Sequence, residues 1–180
     1  MLFPLILILV FHSASIVKCQ GTNLCYLTGG TVPLTKEVVP PTDVKCPGGK
    51  TVLGKVPDLL VDNTRFSQID FTQSKSKPGR FALDKFTFSG EADRPALLTA
   101  GKLYTAANAA LRVRGDKNTI NKLKVVDFFI ASQIEAAKGE AGNANQARLL
   151  DKVLKNCIGK SCSSKDRDDL TVMRKKLDKS

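Results

Sequence analysis

The sequence predicts an α+β protein in which an N-terminal, disulfide-stapled strand and hairpin region packs against a C-terminal bundle of about four short helices. Three observations predict it. Pro33, Pro40, Pro41, Pro47, Pro57 and Pro78 all fall between residues 20 and 90, among many Gly, Thr, Val and Phe, whereas only Pro95 follows. Alanine concentrates in residues 94–180, where apolar residues recur at helical spacing. Cysteines sit in two places, Cys25 and Cys46 in the first region and Cys157 and Cys162 in the second.

Residues 1–19 read as a secretory signal peptide: an apolar run, Met1 to Phe11, too short to span a bilayer, followed by a polar segment with small residues. Ser13-x-Ser15 and Val17-x-Cys19 are both plausible cleavage sites, and cysteine parity favours the second. Cutting after Cys19 leaves Cys25, Cys46, Cys157 and Cys162, an even set in an oxidising compartment. The working chain is then residues 20–180, one secreted domain with a strand-rich half (20–90) and a helical half (91–180).

Within the first half, Leu24–Leu27, Val44–Cys46 and Thr51–Val56 read as short strands separated by Gly-rich turns. Residues 65–71 and 81–88 alternate apolar with polar, and Lys77-Pro78-Gly79 between them is turn chemistry, so a hairpin is expected there. In the second half, Asp93 and Pro95 mark a helix start, with Leu97, Ala100, Tyr104, Ala107 and Leu111 as its stripe and Gly115 as its stop. A second helix starts near Asn118 and carries Ile120, Leu123, Val126, Ile130 and Ile134. A third spans about 145–157, with Leu150, Val153, Leu154 and Cys157 inward. The last follows Ser163, with Leu170, Met173 and Leu177 as its seam. Its acidic first turn and basic last turn complement the helix dipole.

The four remaining cysteines allow three pairings. Cys25 with Cys46 would close a loop around the strand region. Cys157 with Cys162 would pin the turn between the last two helices, and cross-pairing is the alternative. All three are structural roles, because a Cys-x-x-Cys redox motif is absent.

Losing the leader removes His12, the sole histidine. Ser-His-Asp and Cys-His hydrolysis, histidine ribonuclease chemistry and His-ligated zinc all need an imidazole, so none is expected. A carboxylate-dependent hydrolase remains open, drawing two groups from Asp62, Asp70, Asp84, Glu91 and Asp93, but no spacing singles out a pair. No cofactor and no metal is expected.

Formal net charge is +11, or +10 once Lys18 leaves with the leader (11 − 1 = 10). Such a field attracts anionic partners. The chain has no tryptophan and two tyrosines, Tyr26 and Tyr104, so it lacks the stacking platforms of nucleic-acid readers, and nucleic acid is not an expected partner. Basic residues cluster at Lys75, Lys77, Arg80 and Lys85, at Lys117, Lys122 and Lys124, and at Arg174, Lys175, Lys176 and Lys179. Two clusters on one face would make a patch for an anionic glycan or an acidic surface.

One tripeptide carries a specific reading. Arg114-Gly115-Asp116 resembles the Arg-Gly-Asp integrin-recognition motif, in which a guanidinium and a carboxylate bridge a receptor cleft. The competing reading is helix punctuation: Gly115 ends one helix and Asp116 caps the next. The expected function is therefore that of a secreted, cationic, non-enzymatic binding protein of effector, salivary or venom type. Its target would be an extracellular protein or cell-surface receptor, with an integrin reached through Arg114, Gly115 and Asp116, and a sulfated glycan or anionic surface as the alternative.

Overall fold

The computed structural model describes residues 24–34 and 38–179. The leader and its cleavage sites lie outside the described residues. Two small antiparallel hairpins come first: β1 (Thr51–Val52) with β2 (Val56–Pro57), and β3 (Leu60–Val61) with β4 (Thr64–Arg65). Five helices follow: α1 (Pro78–Phe86), α2 (Arg94–Val113), α3 (Lys117–Ala136), α4 (Asn143–Asn156) and α5 (Ser164–Lys176). The α+β class stands, with a hairpin region stapled by Cys25–Cys46 against a helical bundle.

Two details of the sequence reading are corrected. The hairpin expected across 65–71 and 81–88 is not there. Its first arm forms β4 and two short 3₁₀ turns, Phe66–Gln68 and Phe71–Gln73, and its second arm is α1. Pro78 does not bend a turn; it sits at the start of α1, where its missing N–H costs no helical bond. Pro78, Ala82 and Phe86 are buried at a spacing of four, so the apolar period here is helical. The bundle accordingly has five helices instead of about four, and α2 and α3 are 20 residues each. The other correction concerns 24–27, 44–46 and 51–56. The first is a turn, the second contributes only an isolated bridge from Lys45 to Leu60, and the third is not one strand but folds back on itself as the β1–β2 hairpin.

A single apolar cluster runs through both regions, from Tyr26, Val56, Leu59 and Phe66 to Leu103, Leu123, Phe129, Leu150 and Leu170. Its centre is Tyr104 on α2. The ring lies 5.1 Å from that of Phe66 and 5.9 Å from that of Phe86, and the hydroxyl donates to the Ile69 carbonyl at 2.7 Å. One side chain therefore fastens α2 to α1 and to the chain between the hairpins and α1. Burial pushes its phenol pKa well up, so it stays a donor.

Helix α3 occupies the middle of the bundle, against α1, α2 and α4. Both disulfides close locally: Cys25 to Cys46, with Cα atoms 6.0 Å apart, and Cys157 to Cys162, 5.2 Å apart. The second packs on α1. A Cβ at Gly79 would come 2.5 Å from the Cys162 sulfur, so only glycine lets the helix approach this closely.

Candidate functional site

Several arginines of this chain are used internally. Arg80 on α1 reaches across to α5, where its Nε donates to Asp166 at 2.9 Å and an Nη to Asp169 at 2.5 Å; Asp84, one turn away, accepts at 3.4 Å. These carboxylates, Asp169 foremost, hold the guanidinium pKa above its ordinary value. Burial works to raise the pKa of Asp166, but bonds from Ser163 and Arg80 outweigh it and hold the carboxyl below its ordinary value. Arg167 donates to the carbonyls of Cys157 (2.7 Å) and Leu154 (3.3 Å), and Arg174 bonds Asp151 and Asp178.

Arg114 is used the same way. Its guanidinium donates to the carbonyls of Tyr26 (2.9 Å), Thr28 (2.9 Å) and Ala110 (3.0 Å), tying the N-terminal turn to the end of α2. Burial lowers its pKa from the ordinary value. Gly115 has φ of +72°, the left-handed conformation that ends helices, and its N–H donates to the Arg112 carbonyl at 3.0 Å. The Asp116 side chain accepts from the Thr119 N–H at 3.0 Å and caps α3. Each member of the tripeptide thus has a helix-punctuation role in the fold.

One group of lysines behaves differently. A cleft of about 290 Å³ opens where the start of α1, the first turns of α3 and the Cys157–Cys162 loop meet. Lys75, Lys77, Lys122 and Lys160 line it with the hydroxyls of Thr72, Ser74 and Ser76, and among the described residues no carboxylate lines it. All four lysines are exposed. Lys77 is oriented by donating to the Cys162 carbonyl at 3.2 Å, while Lys75, Lys122 and Lys160 form no ion pair among the described residues. The short disulfide loop presents Lys160, because Cys157 and Cys162 are buried while Ile158 to Lys160 are exposed.

The cleft joins Lys75 and Lys77 to Lys122, from the second basic cluster, and to Lys160, which sequence reasoning missed. Lys160 lies alone in sequence and enters only through the disulfide loop. Arg80 is turned into α5, and Lys85 faces a different depression, beside Phe86, Thr87 and Asp93. Lys175 and Lys176 are exposed on the last turns of α5, and neither lines the cleft.

The five carboxylates considered for hydrolysis are engaged separately. Asp62 accepts from Thr99, Asp70 caps the turn at Thr72, Asp84 pairs with Arg80, Glu91 with Arg94, and Asp93 holds Ser89 through its N–H and hydroxyl. Among the described residues, no group of three His, Cys, Asp or Glu side chains is placed to hold a metal ion. No helix among them is long and apolar enough to cross a membrane.

Residues 28–178 match a protein family described as a domain of unknown function, DUF7143. The chain belongs to this family. No curated protein and no solved structure matches the chain. The DUF7143 match takes in all four cleft lysines and the Cys157–Cys162 loop, and it begins just after Cys25 and Tyr26.

Proposed function

We propose that this DUF7143 protein is a secreted, cationic, non-enzymatic protein that binds sulfated glycans through the lysine cleft between α1, α3 and the Cys157–Cys162 loop. The observation that carries this reading is the cleft itself: four exposed lysines and three hydroxyls converge, and among the described residues no acidic one joins them. Sulfate groups are spread along a flexible chain and are matched by lysine ammonium groups acting as point charges. The hydroxyls of Ser74 and Ser76 add donors for sulfate oxygens, whereas the Thr72 hydroxyl already donates to Asp70. Because the net charge is +11, or +10 once Lys18 leaves with the leader (11 − 1 = 10), the whole molecule's field also draws a polyanion toward the cleft.

The two disulfides and the leader-like residues 1–19 support export to an oxidising compartment. An integrin reading finds less support. Engaging a receptor through Arg114 would require the guanidinium to leave three backbone carbonyls.

Heparin affinity tests the proposal. The triple variant Lys75→Ala, Lys122→Ala, Lys160→Ala should lose at least about tenfold in affinity for a heparin oligosaccharide, roughly 1.4 kcal/mol, and elute from immobilised heparin at lower salt. A double variant, Lys175→Ala with Lys176→Ala, removes charge outside the cleft and should bind nearly as the parent does. Equal losses in the two variants, or elution of the parent at low salt, overturn the proposal.

A further inference from the structure

A second concavity, chemically opposite to the lysine cleft, lies between α2, α3 and the extended segment 39–41. It is an open groove of about 330 Å³, and its apolar walls include Val39, Pro40, Pro41, Leu98, Ala131 and Ile134. Two of these wall residues are unusually open to water for their type: Val39 is 80% exposed and Leu98 44%. Gly101 keeps the floor open, since a Cβ there would meet Ile134 Cδ1 at 2.9 Å.

Asp127 on α3 also faces this groove. Its Oδ2 accepts from Asn108 Nδ2 at 3.0 Å, and Asn108 Oδ1 in turn accepts from Arg112 Nε at 2.9 Å. Arg112 is therefore bonded to Asp127 only through an amide, and its charge acts on the carboxylate across space without an ion pair. Among the described residues, Asp127 Oδ1 makes no hydrogen bond or ion pair and the carboxylate has no direct cationic partner. The remaining cation in the groove, Lys102, is matched by Asp43 at 2.5 Å. Tyr104, the other titratable group that feels Asp127, stays a neutral phenol because it is buried.

We propose that this groove binds a small apolar ammonium compound, its cation on Asp127 Oδ1 and its hydrocarbon against Val39, Leu98 and Ile134. The chemistry selects that class. A carboxylate without an ion-pair partner in apolar surroundings carries a desolvation cost that a cation offsets, whereas a neutral ligand of the same shape does not. An anion adds repulsion. The volume falls at the small end of ordinary ligand sites, which suits a compound of one ring and a short chain.

The pH dependence follows from the same group. Burial, eased by the Asn108 bond and by Arg112, pushes the Asp127 carboxyl up to about 6. Ammonium binding needs the ionised form, so it is present above that value and falls as the pH drops through it. This site does not depend on the glycan proposal, and either can fail alone.

The test uses 2-phenylethylamine, with 2-phenylethanol and 3-phenylpropionate as neutral and anionic counterparts, titrated calorimetrically into the disulfide-intact protein. Saturable amine binding is expected at about pH 8, with the alcohol at least about tenfold weaker and the carboxylate weaker still. Amine affinity should fall about tenfold at about pH 5. Asp127→Asn, nearly isosteric and still able to accept from Asn108, should cost the amine at least about tenfold while leaving alcohol binding unchanged. Equal affinity for amine and alcohol, no saturation at millimolar amine, or unchanged amine binding by Asp127→Asn overturns the proposal. The comparison among ligands needs no variant, so it decides the matter even if the substitution disturbs folding.

Discussion

The hairpin region and the helical bundle share one apolar core but satisfy their backbones by different means. From α1 onward, helical hydrogen bonds do most of that work, and side chains are added at the ends, as with Ser163 and Asp166 forming a capping box on α5. Before α1, strands of two residues cannot do it. Long-range side-chain bonds substitute. Buried Asp58 accepts from the Ser67 N–H and hydroxyl, Tyr26 donates to Pro41, Arg114 collects Tyr26 and Thr28, and the Cys25–Cys46 bridge closes the whole. The lesson is one of locality. A helix distributes its stability over many equivalent bonds, whereas the hairpin region concentrates its stability in a few particular ones.

Removing the disulfides should give the largest effect and test that contrast directly. In the chain-entropy picture, a bridge across 21 residues contributes about 3 kcal/mol and one across five about 2 kcal/mol. Urea denaturation of Cys25→Ala with Cys46→Ala should therefore show the greater loss. Hydrogen exchange should rise broadly over residues 24–61, including the paired Lys45 and Leu60 N–H groups. The Cys157→Ala, Cys162→Ala variant should instead loosen only the loop that carries Lys160 and weaken heparin binding. Exchange that spreads equally in both variants breaks the distinction between the regions.

A smaller effect is expected from Arg114→Ala, which deletes three hydrogen bonds to carbonyls. The expected cost is about 2 kcal/mol. The damage should appear at a distance in sequence, at the Thr31 and Val32 N–H groups, both of which donate to the Val113 carbonyl at 2.9 Å. Arg114→Lys, with a single ammonium, cannot reproduce the forked contact and should recover only part of the loss. Full recovery by lysine would mean that charge alone, not bond geometry, holds the N-terminal turn.

The same locality explains what could be read in the sequence. The stripes Leu97–Leu111 on α2 and Ile120–Ile130 on α3 are visible because each helix records its own buried face at a fixed period. The hairpin region has no such period. Residues 78–86 read as a turn and a strand because Lys-Pro-Gly serves a turn and a helix start equally well, and Gly79 inside a helix looks like a breaker until the Cys162 sulfur beside it is seen. The lysine cleft was half legible. Lys75 and Lys77 form a visible cluster, but their meeting with Lys122 and Lys160 depends on tertiary packing and a disulfide that spacing alone left open. The Asp127 groove was not legible, because a single aspartate on a helix gives no sign of what covers it.

The smallest expected effect sharpens the helical side of the contrast. Asp116 caps α3 through the Thr119 N–H, and Asp116→Ala should cost about 1 kcal/mol. Asp116→Asn keeps an acceptor in place and should cost less. In a helix of 20 residues the loss should stay in the first turn, raising exchange near Thr119 and Ile120 while the middle of α3, at Phe129 and Ile130, remains protected. Loosening that reached Tyr26 or Thr31 would show that Asp116 acts with Arg114 as one unit. The junction between α2 and α3 would then belong, energetically, to the hairpin region it touches.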